Sequence, residues 1–178
     1  DEDPLKFGTP SGLGVMDYGE VWMADRENNR IAVFDNVGRF DRFIGDYGYS
    51  GGQLASPEEL LFTRNRMIIV CDAGNSRLVA YDDYGSYIRQ WKSDQFDYPM
   101  AAAIGPEGQY WVLDGSKGRL SCLSPRGDLL YQAGPQIPGS DISLKAPSDI
   151  AFLGDGRLLI SDTGNHRVLV CSVIYEES

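Results

Sequence analysis

The sequence has little of what catalysis or nucleic-acid binding usually requires. Its 178 residues include one histidine, His166. A Ser-His-Asp triad would have to use that residue, and the one G-x-S-x-G match, Gly48 to Gly52, lies in a glycine-rich crossover without the strand-to-helix setting of a nucleophile elbow, which argues against hydrolysis by that route. The three cysteines, Cys71, Cys122 and Cys171, sit inside apolar strand patterns without a C-x-x-C or a metal-ligand spacing. Buried thiols acting as small apolar groups are the main expectation, and one disulfide plus a free thiol is the alternative. No apolar run approaches the ~18 residues that a membrane helix needs. Lys and Arg number 16 against 26 Asp and Glu, a net charge of −10, and the basic residues are scattered. Without a basic stripe, nucleic acid is not an expected partner. A basic-then-apolar start of the signal-peptide kind is also missing. The opening DEDP reads either as a processed terminus, which favours an extracellular or periplasmic protein, or as an arbitrary boundary.

Glycine and proline are plentiful, at 21 and 9 residues, as expected of short strands joined by tight turns. Hydrophobic and charged contents of 42% and 24% are those of a folded globular protein, and the length suits one domain with a real core.

One phrase is written four times: an apolar strand ending in Asp, four turn residues, then Arg opening another strand. It reads VWMAD-RENN-R at 21–30, IIVCD-AGNS-R at 68–77, YWVLD-GSKG-R at 110–119 and LLISD-TGNH-R at 158–167. Pro10, Pro57, Pro99 and Pro147 each stand fifteen residues before the aspartate. A fixed offset repeated in this way marks a repeat protein, with units at about 10–56, 57–98, 99–146 and 147–178.

Each proline is followed, three and five places on, by apolar residues: Leu13 and Val15, Leu60 and Phe62, Ala102 and Ile104, Ile150 and Phe152. That period of two is a strand. A hairpin turn follows at Gly19, Arg66, Gly108 and Gly156. The second strands are apolar without alternation, so both of their faces should be covered. Third strands begin at the arginines, and fourth strands follow Gly38, Gly85 and Gly127; the last unit has Tyr175 there. Residues 4–8 read as a separated outer strand. The expected fold is all-β: a β-propeller of four four-stranded blades in one domain over 1–178, its ring closed by residues 4–8 pairing with the last blade, which would remove an exposed edge. The alternative is part of a larger propeller. The small inner strand Ala101-Ala102-Ala103 would let crowded sheets approach the axis.

The phrase D-x-x-N-x-R, with its flanking strands and opening proline, resembles the NHL repeat family. Asp162-Thr-Gly-Asn165-His166-Arg167 matches closely, as do Asp72 to Arg77 and Asp25 to Arg30; the third copy departs with Lys117 in place of asparagine. The resemblance covers about residues 5–173 and implies a propeller, usually six-bladed, so four repeats are a departure. Activity does not follow from it, because the family spans protein-interaction scaffolds, RNA binders, receptor sensor domains and a metal-dependent amidating lyase. The lyases need several histidines, which this chain cannot supply.

The repeated residues Asp25, Arg30, Asp72, Arg77, Asp114, Arg119, Asp162 and Arg167 read as construction elements. The carboxylates should accept turn N–H groups, and the arginines should tie the turn to neighbouring backbone or to a carboxylate in the adjacent blade. Asn28, Asn75 and Asn165 are expected to take the left-handed conformation that such turns need. A ring of aspartates around a metal is the competing reading. Recognition is sought where the repeats differ, in the crossovers that share a face with these turns. There stand Asp46, Tyr47, Tyr49 and Gln53, then Lys92, Asp94, Phe96, Asp97 and Tyr98, then Gln136, Ile137 and Asp141. Aromatics mixed with carboxylates suit a protein partner, and a homo-oligomer is a further arrangement. Glu58, Glu59 and Asp149, just after their prolines, are weak cation candidates. The expected function is a non-catalytic interaction or assembly module, without a cofactor, that binds a protein partner through this variable-loop face or through its outer strands. The alternatives are a metal-dependent hydrolase or lyase with an acidic channel and a ligand-sensing domain.

Overall fold

In the computed structural model, residues 6–92 and 96–173 are described. Four antiparallel sheets follow one another along the chain, each a meander in sequence order. The first holds β1 (Pro10–Val15), β2 (Val21–Asp25), β3 (Arg30–Phe34) and β4 (Phe40–Ile44). The second holds β5 (Pro57–Phe62), β6 (Ile68–Asp72), β7 (Arg77–Tyr81) and β8 (Tyr87–Lys92), and the third β9 (Pro99–Ile104), β10 (Tyr110–Asp114), β11 (Arg119–Leu123) and β12 (Leu129–Ala133). The last sheet has three strands among the described residues: β13 (Asp149–Phe152), β14 (Leu158–Asp162) and β15 (Arg167–Cys171). The closing strand expected at 4–8 begins at residues 4–5, outside the described residues, as is Tyr175. Lys6 to Gly8 carry no strand. Among the described residues, no helix is long and apolar enough to cross a membrane.

The strand chemistry matches the local sequence. The non-alternating second strands β6 and β10 are buried at every position, whereas the outermost β12 is mostly exposed. The first hairpins close with the N–H of Gly19, Arg66, Gly108 and Gly156 donating three residues back. That last turn position needs a positive φ, which glycine adopts freely; Arg66 takes it too, at φ 61°.

Two compact units divide the chain: Asp1–Pro99 with the first two sheets, and Met100–Ser178 with the last two. In the first unit, Trp22, Ala24, Ile31 and Val33 of sheet one form one buried cluster with Leu60 and Val70 of sheet two. The inner strands meet closely there. A Cβ at Gly14 would overlap the Phe62 ring, and one at Gly12 would lie 2.7 Å from the Glu59 Cα. The Ser11 hydroxyl donates to the Pro57 carbonyl at 2.9 Å. In the second unit, Ala101, Ala103, Trp111, Leu113, Leu120 and Cys122 pack with Ile150, Leu158 and Ile160; the small side chains of β9 bring its backbone near the next sheet.

Candidate partner-binding face

The D-x-x-N-x-R turn is a clamp on the segment that leads into its own sheet. One oxygen of each aspartate accepts a backbone N–H from that segment: Gly8 to Asp25 at 2.9 Å, Ala55 to Asp72 at 2.6 Å and Lys145 to Asp162 at 2.7 Å. The other oxygen accepts the asparagine amide, from Asn28, Asn75 and Asn165 at 2.7–2.9 Å. It also accepts the arginine Nε, from Arg30, Arg77 and Arg167 at 2.6–3.1 Å. The same asparagines then donate to incoming carbonyls, those of Lys6, Gly48 and Ser143.

Two expectations change. In the first, second and fourth copies the carboxylates face the incoming segment instead of the N–H groups inside the turn, which closes on itself through the backbone bonds Asn29 N–H to Arg26 O, Ser76 N–H to Ala73 O and His166 N–H to Thr163 O. The left-handed position is the one after the asparagine: Asn29, Ser76, Gly118 and His166 have φ of 51–59°. His166 is exposed there. In the third copy, Asp114 accepts the Ser116 hydroxyl at 2.9 Å and the Lys117 N–H at 3.4 Å, with Arg119 Nη2 3.9 Å away. The segment entering that sheet passes through residues 93–95, Asp94 among them, outside the described residues.

Burial alone would raise the Asp162 carboxyl, but the Lys145 N–H, the Asn165 amide and the Arg167 guanidinium hold it below its ordinary value. A folded-state value below the unfolded one stabilises the fold above the ordinary carboxylate range, and that contribution is lost as pH falls through the folded value. Asp162→Asn should therefore lower the melting temperature at neutral pH, with the gap to wild type narrowing below about pH 4. Thermal melts across this range check it.

The clamp is strongest in the first unit. The Arg77 and Asp72 side chains are fully buried. Arg77 also donates to the carbonyls of Tyr49 at 2.8 Å, Ser50 at 3.1 Å and Gln53 at 2.7 Å, and to the Gln90 side chain. Leu54 is buried, its N–H bonded to Asp46 O, and the Tyr81 hydroxyl donates to Gly52 O. With the loop backbone drawn inward, the Tyr47 and Tyr49 side chains point outward at 74% and 78% exposure. Asp46 is exposed beside them. The neighbouring segment joins this surface through the Ser76 hydroxyl, which donates to Asp97 O at 2.7 Å. Phe96 differs from the expected surface anchor: it is 5% exposed, turned into the interior, as a lone apolar ring in a short crossover is driven to be.

Tyr98 is half-buried, and its hydroxyl donates to Glu58 at 2.6 Å; Arg26 reaches the same oxygen at 3.2 Å. Burial first, then the Glu58 bond, pushes the Tyr98 hydroxyl up to about 12. Glu59 accepts its neighbour's N–H from Leu60. In the second unit Asp149 likewise accepts from Ile150, Ile137 packs against the core and Asp141 is exposed. Among the described residues no group of three or more His, Cys, Asp or Glu is placed to hold a metal. The cysteines are free thiols, and burial raises all three, Cys122 to about 11.

The first unit also carries a cleft of about 490 Å³, lined by Tyr18, Glu20, Arg42, Arg66, Asp83 and Tyr84, which sequence reasoning missed. It lies at the other strand ends, among the first and third hairpin turns. Arg42 meets both Glu20 oxygens at 3.3 Å, and Arg66 pairs with Asp83 at 3.5 Å, so its charges are mutually engaged.

A family model described as 6-bladed beta-propeller matches residues 2–119, and an NHL repeat model matches residues 144–171. The chain is 26% identical over 131 residues to Protein brain tumor of Drosophila melanogaster, covering 72% of this chain and 13% of that protein. It is 27% identical over 115 residues to E3 ubiquitin-protein ligase NHLRC1 of Rattus norvegicus, covering 64% and 29%. A streptogramin B lyase structure superposes with a TM-score of 0.72 at 19% identity, covering 90% of this chain and 50% of that one. The chain thus spans half or less of each of these proteins. At that identity the lyase shows the fold alone, a β-propeller. With two thirds of its residues inside the model and three of its four NHL-type turns built as clamps, the chain belongs to the 6-bladed beta-propeller family, among the NHL-repeat propellers.

Proposed function

We propose that the chain is a non-catalytic interaction module that captures a protein partner on the clamped crossover of its first unit. One observation carries this reading: Tyr47 and Tyr49 are about three-quarters exposed on a loop whose backbone is pinned by the buried Arg77. Exposed tyrosines lose little entropy on contact when their backbone is already fixed, and tyrosine is a favoured anchor at protein interfaces. Asp46 and Asp97 supply acidic rim charges that favour a basic partner surface. Similarity to part of a protein named as an E3 ubiquitin-protein ligase accords with a module that holds a protein while chemistry occurs elsewhere. Enzymatic use of Glu58 and Glu59 has less support, since each is engaged with its neighbours.

The combined Tyr47→Ala and Tyr49→Ala variant should weaken partner capture by at least about tenfold, corresponding to loss of about 1.4 kcal/mol or more, with its melting temperature unchanged. Immobilised wild-type and variant chains exposed to the same extract, with captured proteins quantified, would show this. Equal capture by both would remove this face from the interaction.

A further inference from the structure

We infer that the cleft between the first two sheets binds a neutral oligosaccharide. Its frame is set before any ligand arrives, which lowers the cost of binding. Arg42 donates to both Glu20 oxygens within sheet one and reaches across to the Asp83 carbonyl of sheet two at 3.2 Å. The hairpin tip that carries Tyr84 is closed by Asp82, whose Oδ1 accepts the N–H groups of Tyr84 at 3.0 Å and Ser86 at 2.8 Å. On this frame stand the rings of Tyr18 and Tyr84, 42% and 80% exposed. The Arg66 guanidinium carbon lies 5.7 Å from the Tyr18 ring centroid. Its side chain is 65% exposed, so most of its N–H donors face solvent.

Arg66 stands where the backbone favours glycine. Its counterparts Gly19, Gly108 and Gly156 have φ of 83–94°, and Arg66 takes φ 61°. That left-handed conformation is unfavourable for a residue with a Cβ. A strained residue kept at the edge of a cleft points to a use other than stability. Nor does the repeat require this set. The positions of Tyr18, Glu20, Arg42 and Arg66 are filled in the last two sheets by Glu107, Gln109, Tyr131 and Gly156.

The chemistry of the cleft selects the ligand class. Arg42 and Arg66 balance Glu20 and Asp83, so a free ion of either sign gains little, and the net charge of −10 further disfavours anions. What remains is planar donors and acceptors beside tyrosine rings. The neighbouring hydroxyls of a pyranose donate and accept at once, which suits carboxylate and guanidinium edges. Its C–H face packs on an aromatic ring. A second cleft of about 420 Å³ shares Arg66 and Asp83 with the first and adds Asn65, Met67, Asp82, Ile88 and Arg89. The two run together, which fits a chain of sugar units better than a single one. Each volume lies in the range of about 300–1,000 Å³ usual for small-ligand sites.

Isothermal titration calorimetry tests this with cellopentaose, maltopentaose, xylopentaose, mannopentaose and chitopentaose, and with glucose and trigalacturonate as comparisons. At least one neutral pentaose should bind, with glucose at least about tenfold weaker. Tyr84→Ala and Arg66→Gly should each weaken that binding by at least about tenfold. Arg66→Gly should do so with its melting temperature unchanged, because glycine takes the left-handed turn position without strain. Silence with every neutral oligosaccharide would overturn the inference. So would tighter binding of trigalacturonate than of any neutral chain, or equal affinity in wild type and both variants. A melting temperature that falls in both variants together with the binding would assign Tyr84 and Arg66 to the frame, and would overturn it as well.

Discussion

Asp72→Ala is expected to destabilise the first unit by about 3–5 kcal/mol, the usual cost of removing one partner from a buried ion pair. The pair is closed to solvent on both sides at 2.6 Å, so the remaining guanidinium keeps its charge without its counterion. The substitution also strips the Ala55 N–H and the Asn75 amide of their shared acceptor. Asp72→Asn should fall between alanine and wild type, because an amide oxygen can still receive one of those bonds. The equivalent change at Asp162 should cost less, since Arg167 is 39% exposed and water can replace the lost carboxylate. Urea unfolding of the three variants gives the ranking. Limited proteolysis adds a local readout: cleavage within residues 46–53 should accelerate in Asp72→Ala, because that loop hangs on Arg77. Equal costs at positions 72 and 162 would mean that burial of the arginine does not govern the clamp.

Trp22→Ala should cost a comparable amount, about 3–5 kcal/mol, typical of an aromatic core truncation. Trp22 is fully buried between the first two sheets, in the cluster with Leu60 and Val70. Its Nε1 donates to Glu20 at 3.1 Å, and the Arg42 guanidinium carbon lies 5.5 Å from the ring centroid. Truncation therefore opens a void and also removes one support of the Glu20–Arg42 pair in the neighbouring cleft. Trp22→Phe keeps most of the apolar volume but loses the N–H and part of the indole ring, for which about 1–2 kcal/mol is expected. Chemical denaturation of both variants separates packing from hydrogen bonding. A phenylalanine as damaging as alanine would make the Glu20 bond, not packing, the dominant contribution.

Much of the architecture was legible because its signals are local. Apolar residues three and five places after each proline, and the unbroken apolar runs before each aspartate, are read within one strand; the structure places strands at all of them. The arginines were expected to reach neighbouring backbone or a carboxylate of the adjacent blade; Arg77 does reach backbone carbonyls, but the carboxylate that Arg30, Arg77 and Arg167 meet is their own turn's aspartate, five residues earlier. What escaped was long-range. The N–H that Asp25, Asp72 and Asp162 each accept lies seventeen residues upstream, and only the folded crossover shows that those turns close through their own backbone bonds. Phe96 sits in a variable segment rich in polar groups, where local sequence cannot tell an anchor from a plug. The cleft of Tyr18, Arg42, Arg66 and Tyr84 draws on hairpins from two sheets, and no periodicity within one repeat brings them together. The outward aim of Tyr47 and Tyr49 follows from Arg77 pulling the backbone inward, a tertiary effect.

The most direct test of partner capture on the clamped crossover is site-specific photo-cross-linking. A photo-reactive phenylalanine analogue is placed at position 49, and in a separate chain at position 130, an exposed site on the outermost strand of the third sheet. Both chains are irradiated in the same extract. Discrete protein adducts from position 49, absent from position 130 and competed away by unmodified chain, are the expected result. Adducts from position 130 alone, or no competable adduct from position 49, would contradict the assignment of this face.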